Sequence, residues 1–170
     1  RAINDDQFSS LEAYIQLPSV NEKDDSKAKE EQKDKTKLPL FELNQSTAAD
    51  LRKIRGIGPV LSGRIVEYRK LLGGFIVAEQ VMEVYGIEDS LFNAIDKQLF
   101  VDKSIISKIN INKAPAERFS KHPYINRNIA NAIVNYRDQH GSYIALEDIK
   151  NTDVVSDELL EKILPYLALD

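Results

Sequence analysis

The sequence has no cysteine and only two histidines among its 170 residues, and these absences exclude several kinds of chemistry. Without thiols the chain forms no disulfide, no thiolate zinc site and no cysteine nucleophile. His122 and His140 lie in separate predicted elements, which favours neither a metal site nor a catalytic dyad. The adjacent acids Asp24-Asp25 and Glu147-Asp148 are poor acid–base pairs, and no phosphate-loop lysine motif or nucleophile elbow is present. We therefore expect no enzyme activity, no cofactor and no small-molecule substrate.

Long apolar runs are also missing, because no stretch approaches the roughly 18 residues that span a membrane. Since the chain begins with Arg1 rather than methionine, we expect a fragment or a processed form that a targeting or anchoring segment could precede. The net charge is −4, which argues against a protein that coats nucleic acid by bulk electrostatics. Any attraction to nucleic acid must therefore be local.

The first 39 residues are predicted to form an N-terminal segment with a charged linker rather than a folded domain. Residues 1–20 carry a few apolar side chains at loosely helical spacing, which predicts a weak helix or a docking segment. From Asn21 to Lys37 the only apolar residue is Ala28, and such a stretch cannot bury enough surface to offset chain entropy. We expect this part of the chain to be disordered or weakly helical.

Two glycines in the stretch Arg55-Gly56-Ile57-Gly58-Pro59 mark a tight turn between two predicted helices. A capping box in which Thr47 pairs with Asp50 predicts a helix over residues 48–54 before the turn. Apolar residues at the spacing of an amphipathic helix predict a longer helix after the turn, ended by the glycine pair at 73–74. These apolar residues are Leu61, Ile65, Tyr68 and Leu72.

The same turn is predicted to be an anion site. Glycine at positions 56 and 58 allows a positive φ and the close approach of a ligand, and Pro59 fits the first position of a helix. Backbone N–H groups at the helix N-terminus then point outward, where they can bind a phosphate. From Arg52 to Lys70 there are six basic residues and one acid, a local charge of +5. A positive patch is therefore expected around the turn.

The segment from Ile109 onward repeats the earlier one at a constant offset of 68 residues. Within the first unit a weaker hairpin also follows, in which Glu88 stands where Gly58 stood and would repel a phosphate. The sequence thus predicts an all-α protein with two tandem units of four short helices, residues 40–102 and 109–170. Matched pairs include Asn44 with Asn112, Tyr68 with Tyr136, Arg69 with Arg137, Phe75 with Tyr143 and Leu99 with Leu167.

The second unit departs from the first where a phosphate would bind. Tyr124-Ile125-Asn126-Arg127 replaces the glycine turn, and three basic residues against one acid between Ser120 and Asp138 give a charge of only +2. Asn126 is a residue that can adopt the left-handed conformation. We expect at most weak phosphate binding by Lys121, Asn126 and Arg127.

The pattern Leu51-x-x-Ile54-x-Gly56-Ile57-Gly58-x-x-x-Ser62 resembles the helix-hairpin-helix motif of DNA-binding proteins. Residues 41–101 as a whole resemble the paired-hairpin domain of the ComEA family of bacterial competence proteins, and residues 109–170 resemble a degenerate copy. The wider resemblance rests on Asn44, Ala48, Ile65-Val66, Tyr68-Arg69, Gly73-x-Phe75 and the second hairpin at Gly86-Ile87. Glu88 and the tandem arrangement depart from that family's pattern.

This resemblance implies a membrane-anchored or secreted protein of the bacterial envelope, periplasmic or extracytoplasmic, although a cytoplasmic location stays open. It implies non-sequence-specific binding of double-stranded DNA during uptake. The phosphate-binding role of the family's hairpin is carried onto Gly56, Ile57, Gly58 and the amide of Val60.

Side chains near the turn extend this candidate site. Lys53, Arg55 and Arg64 lie within the positive stretch and are candidate DNA contacts. Arg69 and Arg137 occur in both copies, including the copy without glycines, so we expect them to brace each unit through a carboxylate or a carbonyl. By the same argument the recurring aromatic residues belong to the cores. They are Tyr68, Tyr136, Phe75 and Tyr143.

Two other functions stay open at this point. One is a structural or adaptor component of an envelope complex that has kept the hairpin packing and lost DNA affinity, which the acidic net charge and Glu88 favour. Its partners would be envelope proteins of an uptake or secretion complex. The other is a unit that targets DNA for a separate catalytic partner, as in repair nucleases.

Overall fold

The computed structural model describes residues 38–170, so the predicted N-terminal segment lies outside the described residues except for its last two positions. The described chain is helical, as predicted, with short helices joined by tight turns. Among residues 38–170 no helix has the length and apolar character needed to cross a membrane. The α-helices are α1 (Ala48–Leu51), α2 (Pro59–Leu72), α3 (Asp89–Ile95), α4 (Ala116–Phe119), α5 (Arg127–His140) and α6 (Asp157–Ile163). The 3₁₀ helices are Ala78–Glu83, Asp96–Gln98, Lys103–Ile105, Leu146–Thr152 and Leu164–Tyr166.

Helix α1 begins as predicted but ends earlier. Thr47 Oγ1 accepts a hydrogen bond from the Asp50 amide at 3.1 Å, and Asp50 Oδ2 accepts one from the Thr47 amide at 3.2 Å, which confirms the capping box. The predicted end at residue 54 is wrong, because α1 stops at Leu51. The amides of Lys53 and Ile54 bond to carbonyls three residues back at 2.9 and 3.1 Å, so the chain tightens into a turn.

Two pairs of very short parallel strands close the units, and the helical patterns did not predict them. Strand β1 (Phe41–Glu42) pairs with β2 (Leu99–Phe100), and β3 (Ile109–Asn110) pairs with β4 (Leu167–Ala168). The two pairs are related by the same offset of 68 residues. Each pair joins the start of a unit to its end, so both units are closed in the same way.

The predicted repeat is confirmed in the hydrogen bonds that hold each unit together. Asn44 Oδ1 accepts from the Phe75 amide at 2.6 Å, and Asn112 Oδ1 accepts from the Tyr143 amide at 2.8 Å. Each asparagine also donates through Nδ2 to the carbonyl of the same aromatic residue, at 2.9 and 3.1 Å. These contacts tie the start of each unit to the segment that follows its long helix.

The two recurring arginines brace the units through carbonyls, as predicted. Arg69 Nη1 donates to the carbonyls of Leu43 and Ser46 at 2.7 and 2.8 Å. Arg137 Nη1 donates to the equivalent carbonyls of Ile111 and Ala114, both at 3.1 Å. Each guanidinium therefore fixes the chain before the first hairpin against the end of the long helix.

Each of the two repeated units has its own apolar core. Residues 38–170 nevertheless form one compact body that contains both units. The core assignment is confirmed for Phe75 and Tyr143, which are buried, while Tyr68 and Tyr136 are half-buried and pack at the core edges. Tyr166 belongs to the second unit in sequence but is buried in the first unit's core. The two units therefore share apolar contacts.

Candidate nucleic-acid interface

The two glycines of the first turn differ in backbone conformation and in the space around them. Gly56 has φ 98°, and a Cβ built on it would lie 2.5 Å from Leu91 Cδ1, so both the conformation and the space require glycine. Gly58 has φ −86° and ψ −178°, an extended conformation that any residue adopts, and a Cβ there would meet nothing within 4 Å. The positive φ that glycine allows at both positions is found at Gly56 and not at Gly58, which is the N-cap of α2.

The N-terminus of α2 offers unpaired donors. Within residues 38–170 no atom accepts a hydrogen bond from the amides of Gly58, Val60 or Leu61, and Pro59 has no N–H. Gly58 has no side chain that would cap them, and Val60 is 64% exposed. Ile57 is different, because its amide donates to the Ile54 carbonyl at 3.1 Å and its side chain is buried. Ile57 therefore anchors the turn, and the open donors begin at Gly58.

The predicted basic side chains are distributed around this turn. Lys53 and Arg55 are exposed beside it, and Lys53 Nζ pairs with the capping acid Asp50 at 2.8 Å. Arg64 turns toward the second hairpin, where Nη1 donates to the Tyr85 carbonyl at 2.9 Å. Lys53 and Arg55 are thus exposed a few residues before the open amides, whereas Arg64 is hydrogen-bonded to the protein itself.

The second hairpin packs against the first in a reciprocal way. Gly56 lies against Leu91, and Gly86, with φ 96°, lies against Leu61, where an added Cβ would be 3.2 Å from Leu61 Cδ2. Each leucine follows the glycine of its own hairpin by five residues. This arrangement brings the N-termini of α2 and α3 to one surface. Glu88 is the N-cap of α3, just as Gly58 is the N-cap of α2, so this half of the surface is acidic.

At the third hairpin turn, at the start of the second unit, the side chain of the N-cap residue caps the helix that follows. Asn126 is the N-cap of α5 with φ −75°, and its Oδ1 accepts from the Ile129 amide at 2.9 Å. Asn126 does not use the left-handed conformation that is open to asparagine, because as an N-cap residue it is extended. Lys121 and Arg127 are exposed nearby, but the Asn126 side chain already occupies one amide of the helix N-terminus. The fourth turn is capped in the same manner, since Ser156 Oγ accepts from the Leu159 amide at 3.2 Å.

Tyr124 stands where the first unit has Gly56, and its side chain contacts the first unit. Its hydroxyl donates to the Glu83 carboxylate at 2.7 Å and accepts from Gln80 Nε2 at 2.8 Å. Gln80 Nε2 also donates to the Tyr166 hydroxyl at 2.8 Å, and the Tyr68 hydroxyl donates to Glu83. Burial raises the pKa of Tyr124, and that of Tyr166 to about 12, which keeps both phenols protonated. At the position of Gly56, the second unit thus has a side chain that contacts the first unit.

His122 lies within the same contact between the units. It is 2% exposed, and its ring centroid is 4.7 Å from that of Tyr166 and 5.3 Å from that of Tyr124. Nδ1 accepts from the Tyr124 amide at 3.3 Å, while Nε2 has no hydrogen-bond partner among the described residues. Burial lowers the pKa of His122 to about 4, so the ring is neutral at neutral pH. Among residues 38–170 no group of acids and histidines has the arrangement of a metal site.

These features define a tandem helix-hairpin-helix protein with two hairpins in each unit. The helix-hairpin-helix motif family matches residues 39–100 and 104–168, and the chain belongs to that family. The presence of this motif in both units suggests nucleic-acid binding. No solved structure matches the chain.

Similar proteins carry this region as part of a longer chain. The endonuclease/exonuclease/phosphatase family domain-containing protein 1 of Danio rerio is 26% identical over 139 residues, which cover 71% of this chain and 25% of that protein. The Xenopus laevis protein of the same name is 23% identical over 142 residues, covering 71% and 26%. The Homo sapiens protein is 21% identical over 150 residues, with the same coverage. This chain spans about a quarter of the length of these relatives.

Proposed function

We propose that this chain binds double-stranded DNA without sequence preference and without catalysis, through phosphates seated on the N-terminus of α2. One observation carries the proposal. Four helices in residues 38–170 directly follow a hairpin turn, namely α2, α3, α5 and α6, and among these only α2 has an N-cap that is neither acidic nor provides a side-chain cap. The other three N-caps are Glu88, Asn126 and Ser156. The N-terminus of α2 is therefore the one best suited to an external anion.

The mechanism is donation from backbone amides assisted by nearby cations. The amides of Gly58, Val60 and Leu61 supply donors, and the missing side chain of Gly58 lets a phosphate oxygen approach them. Lys53 and Arg55 add positive charge at the same turn. Such contacts position the protein on the backbone and carry little base information. With about 3 to 5 phosphates neutralised, log K should fall with log salt at a slope of about −0.9 per phosphate.

The decisive experiment replaces Gly58 with Asp and measures binding to a duplex of about 20 base pairs at several salt concentrations. Aspartate is a preferred N-cap and its Cβ has free space, so the Gly58→Asp protein should be as stable as the wild type or slightly more stable. Its carboxylate would occupy the amides and repel phosphate, so we expect binding to weaken by about tenfold or more and the salt slope to become shallower.

Two matched variants make this result specific. Asn126→Asp adds the same charge at the equivalent N-cap of α5, which is already capped, and should leave binding nearly unchanged. Gly58→Asn caps the amides without adding charge and should give an intermediate loss. If Gly58→Asp binds as tightly as the wild type, or if Asn126→Asp loses as much, the phosphate site is not at α2.

The biological setting is a further proposal with two candidates. The resemblance to ComEA proteins supports DNA uptake at a bacterial envelope, with envelope proteins as partners. The names of the relatives support a second candidate, in which the tandem unit presents DNA to a catalytic domain of the endonuclease/exonuclease/phosphatase class. The sequence encoded on either side of residues 1–170 distinguishes them, because the first requires an apolar anchor or leader and the second a catalytic domain. If this chain failed to bind duplex at low salt and captured an envelope protein, that result would instead support the adaptor role.

A further inference from the structure

An exposed aromatic groove lies beside the phosphate site and has no part in the proposed mechanism. It is a cavity of about 250 Å³ between one side of α2 and the entry to the second hairpin. Tyr85 is 82% exposed and Leu71 is 47% exposed, so the groove presents aromatic and aliphatic surface to solvent. The lining residues are Arg64, Glu67, Tyr68, Leu71, Val84 and Tyr85.

The ring of Tyr85 is held in place although it is exposed. Arg64 Cζ lies 4.8 Å from the ring centroid, and Arg64 Nη1 donates to the Tyr85 carbonyl at 2.9 Å. The next residue, Gly86, packs against Leu61 in the first turn of α2. The ring therefore stands next to the helix turn whose amides are open, with a cation on one face and solvent on much of the remainder.

The charge of the groove suits a neutral planar group next to a phosphate chain. Glu67 is the acid in the lining, and its Oε1 accepts from Lys70 Nζ at 3.0 Å, so a cation partly offsets it. Arg64 is the basic group in the lining. Aromatic rings beside a positive surface stack with nucleobases, which all have a π face.

We propose that this groove binds an unpaired nucleobase stacked on Tyr85, in a DNA strand whose phosphates lie on the N-terminus of α2. The inference rests on the proposed phosphate site and adds the preferred form of DNA. In an intact duplex each base is paired and stacked on its neighbours, so its face is closed to Tyr85. A duplex with a single-stranded extension offers both the phosphates and a free base face, and it is the expected ligand.

The test compares a blunt duplex of about 20 base pairs with the same duplex carrying about five unpaired nucleotides at either the 3′ or the 5′ strand end. One base stacked on an aromatic side chain is worth about 1–3 kcal/mol, so the wild type should bind one extended duplex about 5-fold to 160-fold more tightly. Tyr85→Ala should abolish this preference and leave blunt-duplex binding unchanged. Tyr85→Phe should retain it, because the ring remains.

A direct readout separates stacking from a general loss of structure. A 2-aminopurine in the extension should lose fluorescence when wild type or Tyr85→Phe protein binds, and should not lose it with Tyr85→Ala. Ile144→Ala is the matched control, since Ile144 is 88% exposed and lies in the second unit. Because Tyr85 and Ile144 are exposed, none of these changes should measurably lower the urea midpoint of unfolding.

The outcomes distinguish this inference from the proposed function. If the blunt duplex binds and the extension adds nothing, or if Tyr85→Ala weakens both ligands equally, the groove does not hold a base while the phosphate site stands. If the wild type binds the blunt duplex only weakly and Gly58→Asp changes nothing, the phosphate site is wrong and this inference is overturned with it.

Discussion

Removing the hydroxyl of Tyr124 tests whether the third turn has become a contact between the two units. In the Tyr124→Phe protein the hydroxyl loses its bonds to the Glu83 carboxylate, at 2.7 and 2.9 Å, and from Gln80, at 2.8 Å. Both partners keep another tyrosine, because Glu83 still accepts from Tyr68 and Gln80 still donates to Tyr166. No buried group is left unpaired, so we expect a loss of about 1–2 kcal/mol in the free energy of unfolding.

Tyr124→Gly restores the residue of the first unit and should cost more. The half-buried ring packs against both cores, so its removal should cost about 2–4 kcal/mol. Unlike Gly56, Tyr124 does not have a positive φ, so glycine brings no conformational relief at this position. We also expect no gain in DNA affinity, because Asn126 still caps the following helix.

Urea denaturation followed by circular dichroism measures these losses, and a double-mutant cycle assigns them. Combining Tyr124→Phe with Glu83→Gln should give a coupling energy of at least about 0.5 kcal/mol, as expected for groups in direct contact. Tyr85→Phe, which removes the hydroxyl of an exposed tyrosine, is the control and should change stability little. A Tyr124→Phe protein as stable as the wild type, or strictly additive losses with Glu83→Gln, would refute the contact.

Two other changes test the packing. Gly73→Ala should destabilise by at least about 2 kcal/mol in urea, since Gly73 has φ 89° and its Cβ would lie 2.4 Å from the Ser107 carbonyl oxygen. Gly63→Ala, in open space within α2, should instead stabilise by about 0.5–1 kcal/mol, and equal effects would contradict the clash. Burial lowers the pKa of His122 from 6.5 to about 4 on folding, so the stability that the neutral ring contributes is lost as the pH falls from 6.5 to 4. His122→Phe should flatten the stability–pH profile in that window; an unchanged slope would show that His122 is not its source.

The repeat made the internal braces predictable. Arg69 and Arg137 recur where the glycines do not, so their role had to be one that both units need, and both donate to equivalent carbonyls. The capping box at Thr47 was equally readable, because its two partners are three residues apart. Features whose cause lies within one turn of chain, or that recur at a fixed offset, carry their signal in the sequence itself.

Features whose cause lies far along the chain could not be predicted from the sequence. Gly56 requires glycine because of Leu91, which is 35 residues away, so the pattern of two glycines could not show which one has the positive φ. From the sequence, Tyr124 indicated only a degenerate glycine turn, because its partner Gln80 lies 44 residues earlier and no local pattern links the two residues. The strand pairs of two residues each were too short for an alternating pattern to appear.

The two units differ in the N-caps of the helices that follow their hairpin turns. The second unit uses Asn126 and Ser156, side chains that satisfy helix amides from within the protein. The first unit uses Gly58, which leaves those amides open and is a slightly poorer cap by a few tenths of a kcal/mol. That small cost is useful only if an external acceptor takes the place of the side chain. The third turn is committed to Gln80 and Glu83, so the phosphate that we propose at α2 would be the acceptor that gives Gly58 a function.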